Sequence, residues 1–261
     1  MEQRVTSGTY KTISYKLLNG GNTVVVILPR AGARLLTHEQ LIHSLNKSRS
    51  VLFLESGYFG MSRAEQDLEN FKMDAFRENL HSLIIKLGYK KVILIGESVG
   101  AIHALNYANY YKNDVGLVVL SNPALYKSKW LYRMLVLSVL NLGIKTSPNM
   151  WLEGTGKLLK SIPTNESKKF GEIFMNMSKT IGARSYLACL KEIADFYHIY
   201  ETDGVKSILN KCVVLKGKSD KVFDLFCDKK FCKACLNYIE VPSAGHGVID
   251  VNPGAVVSVL N

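Results

Sequence analysis

Lys91-Val92-Ile93-Leu94-Ile95-Gly96-Glu97-Ser98-Val99-Gly100 is the stretch on which the reading of this chain turns. After the lysine it opens with a short apolar, β-branched run, the composition of a buried strand, and Ala101 to Tyr111 has the Ala, Leu and Tyr content and the length of a helix. Ser98 therefore falls on a strand-to-helix turn. Gly96 to Gly100 has the form G-x-S-x-G, in which a sharp turn forces the serine into a strained backbone conformation and the flanking glycines let strand and helix cross closely. The hydroxyl is then pushed out over the sheet edge. The helix start puts a dipole and free backbone N–H groups beside it, that of Val99 among them, where a developing oxyanion can be received.

A serine alone is a poor nucleophile: it needs a base, and the base needs an orienting acid. The order sought is Ser, then Asp or Glu, then His, each at the C-terminal end of a strand. Cys212-Val213-Val214-Leu215 reads as a second apolar strand, and the turn Lys216-Gly217-Lys218-Ser219-Asp220 delivers a carboxylate just past its end. Asn237 to Val241 reads as a third, followed by Pro242-Ser243-Ala244-Gly245-His246-Gly247, where glycines on both sides let the loop bring the imidazole back over the sheet. Of the six histidines, His38, His43, His81 and His103 fall in expected helices and His198 in an aromatic-rich segment, so these five read as helix-surface or core residues. His246 differs. It follows a strand and lies 26 positions after Asp220 (246 − 220), room enough for one helix and one strand between them.

With these motifs the chain resembles the α/β-hydrolase family over nearly its whole length. Thr23 to Leu28 is similar to the strand before the family's oxyanion loop, Val51 to Glu55 to the next strand, and Glu65 to Leu87 to the helix that follows. Gly116 to Leu120 is similar to the strand after the elbow. Glu55-Ser56-Gly57-Tyr58-Phe59-Gly60-Met61-Ser62 resembles the family's D-x-R-G-x-G-x-S stretch, keeping Gly60 and Ser62 but losing the arginine. The resemblance implies a mostly parallel sheet with flanking helices, with Ser98 as nucleophile, His246 as general base and acid, and Asp220 as orienter. One departure stands out. Where the family commonly has His-Gly after the first of these strands, this chain has Pro29-Arg30-Ala31-Gly32-Ala33. A backbone donor comes from any non-proline residue, so Ala31, or Arg30, can still complete an oxyanion hole with Val99. The Arg30 guanidinium has two readings: a surface charge, or a group at the pocket mouth that holds a substrate carboxylate or phosphate.

The sheet strands run from Thr23 to Val241, so 261 residues do not split cleanly into two domains. The expected division is a core of residues 1–121 and 205–261 with a helical cap inserted at 122–204. That interval lacks a clear strand pattern. Trp130 to Leu140 is strongly apolar but too short to span a bilayer, and Phe170 to Met177 and Tyr186 to Tyr200 are further helix candidates with aromatics and methionine. A helix apolar nearly all round is buried or faces an apolar ligand. Most of these side chains are accounted for by packing on the core, with a minority, Leu135 and Leu137 among the candidates, lining an acyl or aryl pocket over Ser98.

The formal net charge is +11, and residues 123 to 200 hold eleven Lys/Arg against five Asp/Glu, a surplus of six. Such a field draws in anionic partners; scattered lysines also serve solubility alone. They are not interleaved with aromatics in a nucleic-acid module, so nucleic acid is not an expected partner. The N-terminus carries no apolar run of the secretory kind and no stretch of about 18 apolar residues occurs. A cytoplasmic protein without stable membrane insertion is expected. Five cysteines, at 189, 212, 227, 232 and 235, are expected as reduced thiols; Cys227-x4-Cys232-x2-Cys235 resembles a metal cluster only superficially, because those positions on one helix face different ways and no fourth ligand is near in sequence.

The resulting expectation is a hydrolase of small-molecule acyl esters or thioesters, an anionic one being a reading of the charge, working through an acyl-enzyme with no metal or organic cofactor. Two other classes stay open at this point: a slow-turnover ligand-binding or receptor-like protein on the same scaffold, and a peptidase or lyase using the same pocket.

Overall fold

A computed structural model of the chain describes residues 5–30, 38–45, 48–54, 73–125, 142–143, 146–161, 203–220 and 227–260, with single positions 168, 172, 183, 187, 191 and 223. Eight strands form one sheet: β1 (Val5–Tyr10), β2 (Ile13–Leu18), β3 (Val24–Leu28), β4 (Ser50–Leu54), β5 (Val92–Glu97), β6 (Val115–Ser121), β7 (Cys212–Gly217) and β8 (Asn237–Val241). Their spatial order is β1-β2-β4-β3-β5-β6-β7-β8. β1 and β2 form an antiparallel hairpin, and β2 meets β4 antiparallel. From β4 to β8 every pairing is parallel. The mostly parallel sheet is thus present, and the hairpin at its edge adds to it.

Parallel strands covered on both faces are expected to be apolar without alternation. β3 and β4 are buried at every position. Their side chains nonetheless divide by the two-residue period of a strand: Val24, Val26 and Leu28 join one core cluster while Val25 and Ile27 join the other. The first cluster is completed by α2 (Met73–Lys86) and α3 (Val99–Tyr110), through residues such as Phe76, Leu80, Leu83, Ile102 and Leu105. α1 (Glu39–Leu45) and two short C-terminal helices, α7 (Val248–Val251) and α8 (Pro253–Ser258), complete the second through Leu41, Ile42, Leu45, Val248 and Val256. Three further helices are described: α4 (Pro148–Ser161), α5 (Asp203–Lys206) and α6 (Lys229–Ala234). α4 lies inside the interval read as a cap. Leu135, Leu137, the stretch from Glu55 to Ser62 and, apart from Glu172, Leu187 and Lys191, the remaining cap candidates lie outside the described residues. No described helix is long and apolar enough to cross a membrane.

The topology decides where chemistry can gather. Because β3, β5, β6, β7 and β8 run the same way, the residues that follow each of them emerge at one edge of the sheet. The register brings the ends level, with Leu28 opposite Gly96, Glu97 opposite Ser121, Ser121 opposite Leu215 and Gly217 opposite Val241.

Candidate active site

Ser98 stands between the last residue of β5 and the first of α3, with φ 53° and ψ −113°. A non-glycine residue at positive φ is strained, and the surroundings must hold it there. Here the Ser98 N–H donates to the Ser121 carbonyl at 2.9 Å, and its own carbonyl accepts from Ala101 and Ala124 at 3.1 and 3.2 Å. Both glycines of the turn are required by space. A Cβ at Gly96 would lie 2.6 Å from the Ala101 Cα, and one at Gly100 only 1.9 Å from the Leu28 carbonyl oxygen. Helix α3 can therefore pass over β3 and β5 only with glycine at these two positions.

The Ser98 hydroxyl is met by His246. Their Oγ and Nε2 atoms are 3.0 Å apart, and His246 Nδ1 is 2.9 Å from Asp220 Oδ2. Asp220 is almost wholly buried, whereas His246 keeps about a third of its side chain exposed. Burial alone would raise the Asp220 carboxyl; contacts with His246, the Phe223 backbone N–H and Asn122 outweigh it and hold the group below its ordinary value. The loop carrying Asp220 is tied to the loop carrying His246 by Lys218 N–H to the Val241 carbonyl at 3.0 Å and Ser219 N–H to that of Ala244 at 2.9 Å. Gly217 permits this contact, since a Cβ there would be 2.0 Å from the Gly245 carbonyl oxygen.

Asn122 is a member that the sequence reading missed. It follows β6, adopts φ 46°, and its side-chain amide donates both to Asp220 Oδ2 and, at 3.2 Å, to the Gly245 carbonyl. Asparagine tolerates the left-handed region better than other branched or bulky residues. Its place directly after a strand that neighbours the elbow was the available signal.

The expected oxyanion donors divide. Val99 opens α3, so its N–H has no intrahelical carbonyl within reach. Ala31 lies outside the described residues. The Arg30 N–H points to Glu97 Oε2 at 3.4 Å, so this N–H is engaged by one of the chain's own carboxylates. The Arg30 guanidinium lies between two of the chain's own carboxylates, 2.6 Å from Glu97 Oε1 and 2.7 Å from Asp250 Oδ2. Glu97, fully buried, also meets His38 Nε2 at 3.1 Å. Burial by itself would raise the Glu97 carboxyl; His38 and Arg30 outweigh it and lower it instead. His38, Glu97 and Asp250 place three potential metal-ligand atoms within 4.8 Å of one another. The guanidinium already supplies the positive charge there, so this donor set does not call for a cation.

Of the other expected helix histidines, His81 and His103 lie on α2 and α3 and His43 on α1; His198 is outside the described residues. The cysteines converge more than their spacing on a single helix suggests. α6 begins only at Lys229, so Cys227 precedes it and turns back to place its sulfur 3.3 Å from that of Cys232. Buried Cys212 of β7 joins Cys235, and this contact together with burial raises its thiol well above the ordinary value. All four are reduced.

A model of the alpha/beta hydrolase fold family matches residues 22–253. The chain belongs to that family. Solved structures similar to it include Epoxide Hydrolase A from Mycobacterium thermoresistibile, at TM-score 0.69 and 17% identity over 99% of this chain and 97% of that one. A thermophilic esterase from Thermogutta terrifontis is similar at TM-score 0.65 and 16% identity, covering 98% of each chain. A structure from Nitrososphaera gargenis, from work on its carboxylesterases, is similar at TM-score 0.62 and 17% identity over 98% and 96% of the two chains. No curated protein matches the sequence. At these identities the likeness is one of fold, so within the family the chemistry of this chain rests on its own side chains.

Proposed function

We propose that this chain is a serine hydrolase cleaving carboxylic esters or thioesters, with Ser98, His246 and Asp220 as its triad. The observation that supports this is the unbroken line from the Ser98 hydroxyl through both imidazole nitrogens to a buried, ionised carboxylate, at 3.0 and 2.9 Å. In the reaction Ser98 Oγ attacks the acyl carbonyl as His246 Nε2 takes its proton, and Asp220 holds the tautomer with its proton on Nδ1 and stabilises the imidazolium. The N–H groups of Val99 and Ala31 receive the oxyanion. His246 then protonates the leaving alcohol or thiol, and water activated by the same imidazole releases the acyl group from Ser98. An esterase and a carboxylesterase-linked structure share the fold, so the scaffold accommodates this chemistry.

Residues 122–204 form the cap in this reading, with Leu135 and Leu137 lining the acyl pocket and the basic surplus favouring an anionic substrate. The test is a series of p-nitrophenyl esters of increasing chain length, alongside neutral and anionic acyl thioesters, with Ser98→Ala as control. Turnover that falls on the order of a thousandfold or more in the variant is expected. Absence of turnover on every ester and thioester by the unaltered protein overturns the reading. Leu135→Ala or Leu137→Ala shifts chain-length preference by roughly 0.8 kcal/mol per methylene if these residues line the pocket.

A further inference from the structure

Glu97 separates Gly96 from the candidate nucleophile, and its carboxylate is fully buried at the end of a central strand. A buried charge is costly unless paired, and an apolar residue would fill a strand end without that cost. The partners of Glu97 are distributed in an informative way. Arg30, two residues beyond β3, gives it both a guanidinium nitrogen at 2.6 Å and a backbone N–H at 3.4 Å. His38, at the head of α1, gives it a ring nitrogen at 3.1 Å. Arg30 and His38 are the residues on either side of 31–37, which begins with the expected donor Ala31, so one carboxylate meets both flanking residues. The other guanidinium nitrogen reaches Asp250, four residues after His246, at 2.7 Å. The Asp250 carboxylate in turn packs so closely on Gly247, next to His246, that a Cβ there would lie 2.9 Å from its Oδ2.

We infer that Glu97, acting through Arg30, His38 and Asp250, is a positioning residue that clasps the oxyanion loop to the nucleophile elbow and to the His246 loop. This rests on the hydrolase reading above for its effect on rate, and on the contacts alone for its effect on the loop. Arg30 then serves the reaction by placing the following N–H, without contacting substrate. Misplacement of a donor by about 1 Å is the kind of change that costs rate while leaving binding largely intact.

The test is Glu97→Gln, which keeps the size and removes the charge, measured beside the unaltered protein, Arg30→Met, Arg30→Lys, Asp250→Asn and the double variant Glu97→Gln/Arg30→Met. The clasp predicts a kcat about 10- to 100-fold lower in Glu97→Gln with KM changed less than about threefold. It predicts partial retention of activity in Arg30→Lys, and a double variant no worse than its worse single, because the groups act as one unit. Independently of activity, hydrogen exchange of the amides in 31–37 should quicken at least about tenfold in Glu97→Gln. Unchanged kcat and exchange, or losses that add in the double variant, overturn the clasp. If Glu97→Gln does not fold, Asp250→Asn carries the test, with a several-fold kcat loss expected and an unchanged kcat overturning the clasp. An unaltered protein that neither turns over esters nor reacts with a fluorophosphonate would sink the hydrolase reading instead, and the exchange measurement would still decide the clasp.

Discussion

The Cβ that Gly100 lacks would lie 1.9 Å from the carbonyl oxygen of Leu28, far inside van der Waals contact. This places the backbone of α3 directly on the end of β3, and the closeness is what carries the candidate nucleophile and the loop after β3 to the same spot at the sheet edge.

Gly100→Ala should therefore cost on the order of 3 kcal/mol or more, because the obstacle is backbone and cannot swing aside. Gly116→Ala in β6 is the control: among the described residues its added methyl meets only the Val92 carbonyl at 3.8 Å, an ordinary contact. It should be neutral or stabilise by up to about 1 kcal/mol through the unfolded chain. Urea unfolding of both variants checks this, and equal stabilities would contradict the close approach.

Asp220→Asn should lower kcat by about 10³- to 10⁴-fold, since the amide no longer enforces the tautomer that leaves Nε2 free to take a proton. Asn122→Ala should lower it roughly tenfold, by removing one of the hydrogen bonds that keep the carboxylate ionised and in place. Steady-state kinetics on a single activated ester tests both. A loss in Asn122→Ala matching that in Asp220→Asn would mean that the asparagine does more than support the acid.

His103 supplies a prediction about pH. It is fully buried on α3 with its ring 4.9 Å from that of Phe76, and burial pushes its imidazole down to about 3. Between that value and the unperturbed value near 6.5, the unfolded chain binds a proton that the folded one does not. The stability this contributes is therefore complete above about pH 6.5 and is lost as pH falls toward 3, by about 1.4 kcal/mol per unit. Unfolding free energies of the parent and of His103→Leu should show slopes over pH 4.5 to 6 that differ by roughly this amount. Identical slopes would mean that His103 is not held neutral.

The meeting of Ser98, Asp220 and His246 was legible because each follows a short apolar strand, so that position along a strand stands in for position in space. β1 was not legible for the converse reason. Its residues are mostly exposed at the sheet edge, so the run Val5 to Tyr10 carries little apolar signal, and the turn at Lys11 lacks the glycine that usually marks a tight hairpin. The clasp was hidden because its members, at 30, 38, 97 and 250, meet only through the strand order. The charged Glu97 inside an apolar strand end was the one local sign of it. For the cysteines the expected helical run is interrupted: Cys227 and Asp228 stand before α6, which starts at Lys229, and the Cys227 sulfur meets that of Cys232.

Covalent labelling tests most directly whether Ser98 is an activated nucleophile. The protein is treated with a fluorophosphonate, its intact mass is recorded, and the adduct is mapped by peptide sequencing, with Ser98→Ala treated in parallel. A single adduct on Ser98, absent from the alanine variant while that variant keeps its fold, is the predicted result. Full labelling of Ser98→Ala, or an unaltered protein that takes up no label, would contradict it.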